Sequence, residues 1–453
     1  MRPGTPSSEG ATPGRVRTVA VGTATAIAIA DMIGIGVFTS LGFQLLSLTS
    51  GFAILMLWIV GGAAALGGAL SYAELAVAFP RSGGEYNFLS RVYHPALGFM
   101  AGWVSATVGF AAPAALAAMA FGEYFAGVVP GTPPLLAGLV VAWGVTAVLL
   151  SGRAPGTIFQ NVATAIKVAL ILVFIVAGLT VSEPQPISFL PQAGDLSAIL
   201  SAPFAVSLVF VMYSYSGWNA ATYIAGEVQD PARSLPRAML AATLAVIVLY
   251  VLLNAVFLYT TPVSAMAGQL NVAQIAGEHI FGPTGGRVVA ALICIGLISA
   301  ISAMMWIGPR VTVAMGEDVP LLRIFSRLGT TGVPTAATLL QIAVVTVLLL
   351  TQSFEAVVDF IQFSLTLCSF LAVAGVIVLR VTRPDLPRPY KVWAFPLTPL
   401  LFLGVTAFMM AYLLFEKPWH SLASLGLMAL GLVLFALSRH GGGDARVKPP
   451  IEG

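Results

Sequence analysis

The sequence predicts an all-α membrane protein that crosses the bilayer twelve times. Hydrophobic residues make up 58% of the 453 residues and charged residues only 9%, whereas a soluble domain has about 25% charged residues. About 20 apolar residues in a row span the hydrocarbon core of a membrane, and the chain has twelve runs of this kind. They are residues 19–46, 52–79, 96–124, 134–151, 158–182, 198–225, 237–261, 286–315, 334–352, 355–380, 394–415 and 420–438.

The distribution of positive charge predicts how the chain is oriented. If the N-terminus is cytoplasmic, most of the 21 lysines and arginines fall in cytoplasmic tails and loops. The exceptions are Arg287 and Lys417, on the outer side, and Lys167, inside a run. Cytoplasmic loops carry an excess of these residues, so we expect a multi-pass plasma (inner) membrane protein with both termini in the cytoplasm. Residues 1–18 and 439–453 are predicted to be disordered cytoplasmic tails, since they are rich in glycine and proline.

Two of the runs contain residues that do not suit a continuous membrane helix. The first run holds Asp31, Gly34 and Gly36, and the sixth holds Ser216 and Gly217. A glycine costs about 1 kcal/mol relative to alanine inside a helix, and a carboxylate at the bilayer centre costs roughly 2.5–3.5 kcal/mol. Irregular backbone at that depth is tolerated where it lines a cavity. We therefore expect a broken helix at each place.

The positions of the two breaks predict an internal repeat. Runs one and six are the first members of two five-helix halves, residues 19–182 and 198–380, and residues 394–438 add two peripheral helices. With five spans in each half, the second half enters the membrane from the opposite side. Glycine-interrupted segments at matching positions of inverted halves indicate the binding site of a transporter.

The composition argues against several other classes of protein. Cys294 and Cys368 lie inside apolar runs and are predicted to be buried thiols, and the four histidines lie at loops or chain ends without the spacing of metal ligands. We therefore predict no metal, no cofactor and no enzymatic activity. The net charge of +3 gives no indication of nucleic-acid binding, and no partner subunit is indicated. A channel or a membrane nutrient sensor remains an alternative to a carrier.

Several motifs occur in an order that resembles the amino acid–polyamine–organocation (APC) superfamily of transporters. The resemblance is closest to the bacterial amino-acid permeases and the L-type amino-acid transporters, and it covers nearly the whole chain. It implies a LeuT-like 5+5 inverted repeat plus two helices, which carries amino acids by alternating access as a symporter or antiporter. A polyamine or cationic amine carrier is the alternative. The motifs are Gly34-Ile35-Gly36-Val37-Phe38, Tyr72-x-Glu74-Leu75 with Phe79-Pro80-Arg81-Ser82-Gly83-Gly84-Glu85-Tyr86, Gly98-Phe99-x-x-Gly102-Trp103, Gly217-Trp218-Asn219 with Glu227 and Asp230-Pro231, Arg310 with Glu317-Asp318, and Arg388-Pro389-Tyr390-Lys391.

The resemblance implies which residues would hold a zwitterionic substrate. The amides of Ile35 and Gly36 would bind the carboxylate, at the positive end of the second half-helix. Tyr213 matches an aromatic lid, although packing between helices is the other interpretation. The backbone carbonyls of Met32, Tyr213, Ser214 and Ser216 would accept from the α-amine, and Gly34, Gly217 and Asn219 would line the site beside them.

Lys167 is the one basic residue well inside an apolar run, which makes it a functional candidate. The resemblance implies that its ammonium occupies the place of Na⁺ in sodium-coupled relatives and bonds the first and eighth helices, where Ser299 and Ser302 are the candidates. On that hypothesis any ion coupling is to protons. The alternative is a permanently charged tie between helices in an exchanger or uniporter.

Asp31 departs from the family pattern, which has a small or neutral residue at this position. Its carboxylate could bind a basic amine beside the carbonyl of Met32, pair with Lys167, or carry the coupling proton. It could also point into a neighbouring polar gap without any role in substrate binding.

Overall fold

The computed structural model describes residues 18–80, 83–153, 156–181, 184–318, 320–329 and 331–440. Within these ranges the chain is helical and has no β-strand beyond a single bridge between Val19 and Val228. The predicted tails lie almost entirely outside the described residues, as does Arg81. The helices are α1 (Val21–Met32), α2 (Gly36–Gln44), α3 (Gly51–Ala78), α4 (Gly84–Val92), α5 (Pro95–Val104), α6 (Ala111–Val128), α7 (Pro134–Leu150), α8 (Thr157–Gly178), α9 (Asp195–Ile199), α10 (Ala202–Tyr215), α11 (Pro231–Thr260), α12 (Val263–Met266), α13 (Val272–Asp318), α14 (Thr335–Leu350), α15 (Phe354–Thr382), α16 (Leu397–Glu416) and α17 (Pro418–His440).

These helices confirm the predicted fold class. In the described part of the chain, nine helical segments are long and apolar enough to cross a membrane, counting α1 with α2 and α5 with α6. Two shorter apolar helices, α7 and α14, account for two more spans. The remaining span is the sixth, which is divided into α10 and a 3₁₀ turn at Ala220–Ile224. The protein is therefore an all-helical membrane protein with twelve spans.

The outer surface of the helix bundle is apolar, as contact with lipid requires. Large hydrophobic side chains are more than half exposed on several peripheral helices, among them Val140 of α7, Val176 of α8, Val347 of α14 and Phe415 of α16. A soluble protein rarely exposes large contiguous apolar patches. The polar groups instead lie inside the bundle or at its two ends.

The eighth span is longer than the sequence indicated. The predicted run of 286–315 is the larger part of α13, which continues to Asp318. The first part of α13, from Val272 up to Gly282, lies before the predicted run. Gly282, with φ 77° and ψ 176°, separates the two parts. Hydropathy alone does not reveal such an extension, because a helix outside the lipid needs no continuous apolar run.

The two ends of the bundle differ in charge, and we name them accordingly. The basic face carries Arg91, Arg233, Arg380 and Arg388, at or near the ends of α4, α11 and α15. The opposite face carries Lys417, between α16 and α17, and the acidic residues around it.

Candidate functional site

The backbone leaves helical geometry at both predicted breaks. α1 ends at Met32 and α2 begins at Gly36. α10 ends at Tyr215, and the chain turns at Gly217, whose φ of 100° is one that L-residues rarely adopt. Because α2 lies against α10, and α1 against the 3₁₀ turn that follows it, the two broken spans run side by side in opposite directions.

The start of α2 provides donors at the first break. The first amides of a helix have no acceptor within it, and the helix dipole makes that end favourable for an anion. Gly34 lies just before this turn, and a Cβ on it would meet only the carbonyl of Met32, 4.0 Å away. The backbone at Gly34 is therefore open to an approaching group.

Gly36 has a different environment from that of Gly34. A Cβ on Gly36 would lie 2.5 Å from Oγ and 2.8 Å from Cα of Ser214. The first and sixth spans are thus in close contact at Gly36. This helix contact is not apparent from the spacing of the two glycines in the sequence.

A tyrosine that the sequence analysis did not single out joins the two breaks. The hydroxyl of Tyr250, on α11, lies 2.6 Å from the carbonyl oxygen of Met32 and 3.2 Å from that of Ser214. Tyr250 is fully buried. Its only signal in the sequence is a hydroxyl near the middle of the seventh apolar run.

The other carbonyls of the sixth-span break are partly satisfied within the break. The carbonyl of Tyr213 accepts from the amide of Ser216 at 3.1 Å and from its hydroxyl at 2.6 Å. The hydroxyl of Ser214 lies 2.7 Å from the carbonyl of Phe210 and 3.0 Å from the hydroxyl of Ser40. Carbonyl oxygens have two lone pairs, so that of Ser214, which the Tyr250 hydroxyl contacts, can accept from a further donor. The carbonyl of Tyr213 already has two donors, and a substrate amine would have to replace the hydroxyl of Ser216 there.

Lys167 reaches the first break from α8. Its Nζ donates to the carbonyl oxygen of Ile33 at 2.5 Å. Ser299 and Ser302 instead bond the side chain of Gln160: the Ser299 hydroxyl donates to its Oε1 at 2.5 Å, and its Nε2 donates to the Ser302 hydroxyl at 2.9 Å. Lys167 therefore contacts the first span, as expected. The two serines of the eighth span are bound by Gln160 and not by Lys167.

Asp31 lies where the last turn of α1 meets the sixth-span break. A Cβ on Gly217 would lie 2.6 Å from Oδ2 of Asp31 and 2.9 Å from its carbonyl oxygen. A glycine is thus needed at position 217 both for its positive φ and for the space that Asp31 occupies. The Asp31 side chain is exposed.

Glu85 gathers three side chains on the basic-face side of the breaks. Its carboxylate accepts from the hydroxyl of Tyr72 at 2.9 Å, the amide nitrogen of Asn219 at 3.0 Å and the hydroxyl of Tyr223 at 2.7 Å. The side chain of Asn219 therefore contacts Glu85, which the sequence analysis had not given a role. These bonds connect α3, α4 and the 3₁₀ turn.

Aromatic rings close the opposite side of the breaks. Phe43 stacks on Phe210, with ring centroids 5.1 Å apart, and on Phe354, at 5.5 Å. Phe354 also meets the edge of Tyr213 at 6.2 Å. Tyr213 is only 8% exposed, whereas Asp31 on the other side is exposed, so the breaks are accessible from the basic face.

The geometry suits a zwitterion better than a reaction. A helix N-terminus and carbonyl oxygens face one another without a nucleophile between them, and the described residues contain no group of three His, Cys, Asp or Glu side chains that could hold a metal ion. Both cysteines are buried and unpaired. The site can bind and release a small molecule through its backbone.

Known proteins resemble the chain over most of its length. Residues 21–437 match the family model of the amino acid permeases. The b(0,+)-type amino acid transporter 1 of Mus musculus is 28% identical over 91% of this chain and 85% of its own length. The cystine/glutamate transporter of Homo sapiens is 29% identical over 87% of this chain and 79% of its own length. The serine/threonine exchanger SteT of Bacillus subtilis is 26% identical over 85% of this chain and 88% of its own length.

The family model thus spans both broken helices, Lys167 and the two final helices. The match agrees with the order of motifs that the sequence presents and with the all-helical fold. The chain belongs to the amino acid permease family of the APC superfamily.

Proposed function

We propose that this protein carries amino acids across the plasma membrane by alternating access. The observation that carries the proposal is the pair of helix breaks, which face each other inside the bundle and are joined by the hydroxyl of Tyr250. Two unwound segments of this kind offer both donors and acceptors to one small zwitterion. The transporters named above as relatives all have amino acids in their names, which supports this substrate class.

The proposed site uses backbone atoms for the groups that all amino acids share. The amides of Ile35 and Gly36 bind the α-carboxylate. The carbonyls of Met32, Tyr213, Ser214 and Ser216 accept from the α-amine. Gly34 and Gly217 keep the backbone accessible, and Asn219 and Asp31 border the space from the basic face. Nothing in this arrangement calls for a catalytic residue, so we infer that the protein is not an enzyme.

The proposal places the basic face in the cytoplasm, since positive charge marks the cytoplasmic ends of membrane helices. The breaks, open toward that face, then represent the inward-facing state. In the outward-facing state the aromatic layer of Phe43, Phe210 and Phe354 must separate. The two five-helix halves, 19–182 and 198–380, are the units that we expect to move relative to each other.

Counterflow in proteoliposomes tests whether the protein is a carrier. Vesicles loaded with unlabelled amino acids should take up labelled leucine, serine or arginine faster than empty vesicles, because a carrier returns across the membrane more readily with cargo. Vesicles without protein are the control. A channel or a sensor would show no acceleration by internal substrate, and that result would contradict the proposal.

From the position of Lys167 we predict that transport does not need sodium. Its ammonium already donates to the carbonyl of Ile33, which the helix break leaves accessible, so a cation is present there without Na⁺. We expect uptake to be unchanged when N-methylglucamine replaces Na⁺. If a pH gradient drives accumulation the carrier is proton-coupled, and if only internal amino acid does so it is an exchanger. Uptake that stops without Na⁺ would contradict this role of Lys167.

Asp31 is the proposed determinant of charge preference, because its carboxylate is exposed beside the amine-binding carbonyl of Met32. In Asp31→Asn we expect arginine uptake to fall relative to leucine by about tenfold, the value of a lost charge-assisted hydrogen bond. Competition by leucine, arginine and a polyamine measures the change.

The matched control for Asp31→Asn is Asp230→Asn, the same substitution on an exposed loop of the basic face. It should leave the ratio of arginine to leucine uptake at the wild-type value. An unchanged ratio in Asp31→Asn would show that Asp31 has no part in selecting the substrate.

A further inference from the structure

A cluster of charged side chains on the opposite face has no part in the proposed carrier site. Asp359 lies just over one turn into α15, and its side chain is 0% exposed. Neither of its oxygens has a hydrogen-bond partner, and neither does Nδ1 of His420 on α17. A buried polar group without a partner is destabilising, and more so when it is charged. The arrangement therefore needs an explanation.

The nearest cation is already engaged elsewhere. Nζ of Lys417 lies 2.7 Å from Oε1 of Glu355 but 4.0 Å from Oδ2 of Asp359. Burial alone would lower the pKa of Lys417, but the hydrogen bond to Glu355 and the carboxylates of Asp359 and Glu416 raise it above its usual value. Lys417 is thus a permanent cation shared among three acidic residues, and it leaves Asp359 incompletely neutralised.

A proton shared between Asp359 and His420 would give the cluster the hydrogen bond that it lacks. Nδ1 of His420 lies 3.6 Å from Oδ2 of Asp359, slightly beyond the usual length of a hydrogen bond. In the tautomer that carries its proton on Nε2, Nδ1 of a neutral imidazole is an acceptor, so a proton on Oδ2 would create a bond between the two. It would also remove the cost of an unpaired buried carboxylate. We infer that Asp359 and His420 form a proton-binding site, with the proton carried by Oδ2 of Asp359 and directed at Nδ1 of His420.

The site has access to the aqueous phase. His420 is 35% exposed, and Glu355, Glu416 and Lys417 line a cavity of about 340 Å³ on the opposite face. The same cavity is bordered by Phe43 and Phe210 of the aromatic layer. Protons of the solution on that face can therefore reach the cluster without passing the helix breaks.

The position of the site connects it to the aromatic layer. Phe354 is the first residue of α15, and its ring stacks on Phe43 and contacts Tyr213. Loss of the proton would leave a charge inside the same end of α15, which favours movement of that end toward water. Proton binding at Asp359 therefore stabilises the closed aromatic layer. Lys167 and Asp31 take no part in this effect, because they lie at the first break.

Infrared spectroscopy of the purified, detergent-solubilised protein tests the site directly. We expect a carboxylic C=O band at neutral pH that is present in the wild type and absent from Asp359→Asn. Glu416→Gln is the matched control, because it removes an exposed carboxylate from the same cavity rim, and it should retain the band. Absence of a band in the wild type, or its persistence in Asp359→Asn, would overturn the inference.

Thermal unfolding provides a second measurement that is independent of transport. The folded protein holds a proton that an unfolded aspartate, with a pKa of about 3.9, has lost, so stability falls as the pH rises through the titration of the folded state. Between about pH 6 and about pH 9 we expect the wild type to lose about 2 °C in Tm relative to Asp359→Asn. Glu416→Gln should follow the wild type.

Every outcome of the unfolding experiment bears on the inference. Parallel pH profiles for the wild type and Asp359→Asn would contradict it. So would a variant that fails to fold, because asparagine is the neutral isostere of the protonated residue and should suit the buried position. Neither readout depends on the substrate, so a negative result here would leave the proposed carrier function untouched.

Discussion

Gly34 and Gly36 lie two residues apart in the first break, but their α-carbons have different neighbours. The space beside Gly34 is open, with only the Met32 carbonyl at 4.0 Å, whereas the Cα of Ser214 is 2.8 Å from a Cβ position on Gly36. A methyl group would therefore enter the proposed site at position 34 and the helix contact at position 36.

This difference predicts that two alanine substitutions affect different properties of the protein: one lowers transport and the other lowers stability. Gly34→Ala should keep the stability of the wild type and lower uptake at least tenfold, because the methyl group occupies space needed by the substrate carboxylate. Gly36→Ala should destabilise the protein by about 1–3 kcal/mol through overpacking. Labelled amino-acid uptake and thermal unfolding in detergent measure the two effects separately.

Gly144 provides the control for these variants. It lies in the membrane helix α7 with no atom within 4 Å of its Cβ position, so Gly144→Ala should change neither stability nor uptake. A Gly34→Ala variant that transports as well as Gly144→Ala would contradict the assignment of the carboxylate site.

At the level of residues, the sequence indicates where the backbone breaks but not what stabilises the breaks. Asp31, Gly34 and Gly217 are conspicuous because they are unsuited to a membrane helix. Tyr250 and Glu85 are not, because a tyrosine within an apolar run and an acid between two apolar runs are both ordinary. Their importance comes from contacts with residues more than 100 positions away.

Glu74 connects three separate elements on the basic face. Its carboxylate pairs with Arg380 of α15 through two bonds, at 3.2 and 2.7 Å. It also accepts from the amide of Val392 at 2.7 Å and lies 3.7 Å from Nε of Arg388. The side chains of Glu74 and Arg388 are only 3% and 7% exposed. One buried carboxylate thus joins α3 to α15 and to the loop before α16.

Burial raises the pKa of Tyr390 in the same loop to about 12, and the nearby Glu74 contributes to the shift. The phenol is therefore neutral over the physiological pH range. Tyr390 therefore adds no charge to the cluster of Glu74, Arg380 and Arg388 near neutral pH.

Removing the charge of Glu74 should be costly, since it leaves the buried Arg388 and the partly buried Arg380 without this counter-charge. We expect Glu74→Gln to lose about 3–5 kcal/mol of stability, the cost of breaking a buried ion pair. Thermal unfolding in detergent measures the loss. Asp385→Asn, an exposed acid of the same loop, is the control and should unfold at the wild-type temperature.

A Glu74→Gln variant as stable as Asp385→Asn would show that the pair does not hold these elements together. Along the chain, Arg81 is the basic residue nearest to Glu74. Arg81 lies outside the described residues, and the partners of Glu74 are 306 and 314 positions away. Charge spacing along a chain does not report on such contacts.

For the whole molecule, the proposed orientation makes a prediction about chemical accessibility. Glu416 is exposed on the opposite face, and the side chain of Arg233 is 78% exposed on the basic face. In intact cells a membrane-impermeant maleimide should label Glu416→Cys, and it should label Arg233→Cys only after permeabilisation. The native Cys294 and Cys368 are buried, so wild-type protein serves as the background control. The reverse pattern of labelling would invert the orientation.

The fold as a whole follows from hydropathy to a greater degree than the site does. Twelve apolar runs are enough to predict an all-helical membrane protein, because lipid requires each span to satisfy its own backbone. The extension of α13 before Gly282 and the shortness of α10 depend on contacts between helices. The sequence alone does not determine which distant residues meet in space, as Lys167 and Ile33 do.

The hydroxyl of Tyr250 has a consequence for the empty carrier. Its single proton can donate to the carbonyl of Met32 or to that of Ser214, two of the oxygens that the proposed site offers to an α-amine. The hydroxyl of Tyr250 thus competes with the substrate amine for these carbonyl oxygens, and it is always present because it belongs to the same chain. The binding free energy that an amino acid gains here is only the difference between an ammonium and a phenol as hydrogen-bond donor. When the amino acid leaves, the hydroxyl of Tyr250 can donate to these oxygens again. Fast release, rather than tight capture, is the behaviour that such a site favours.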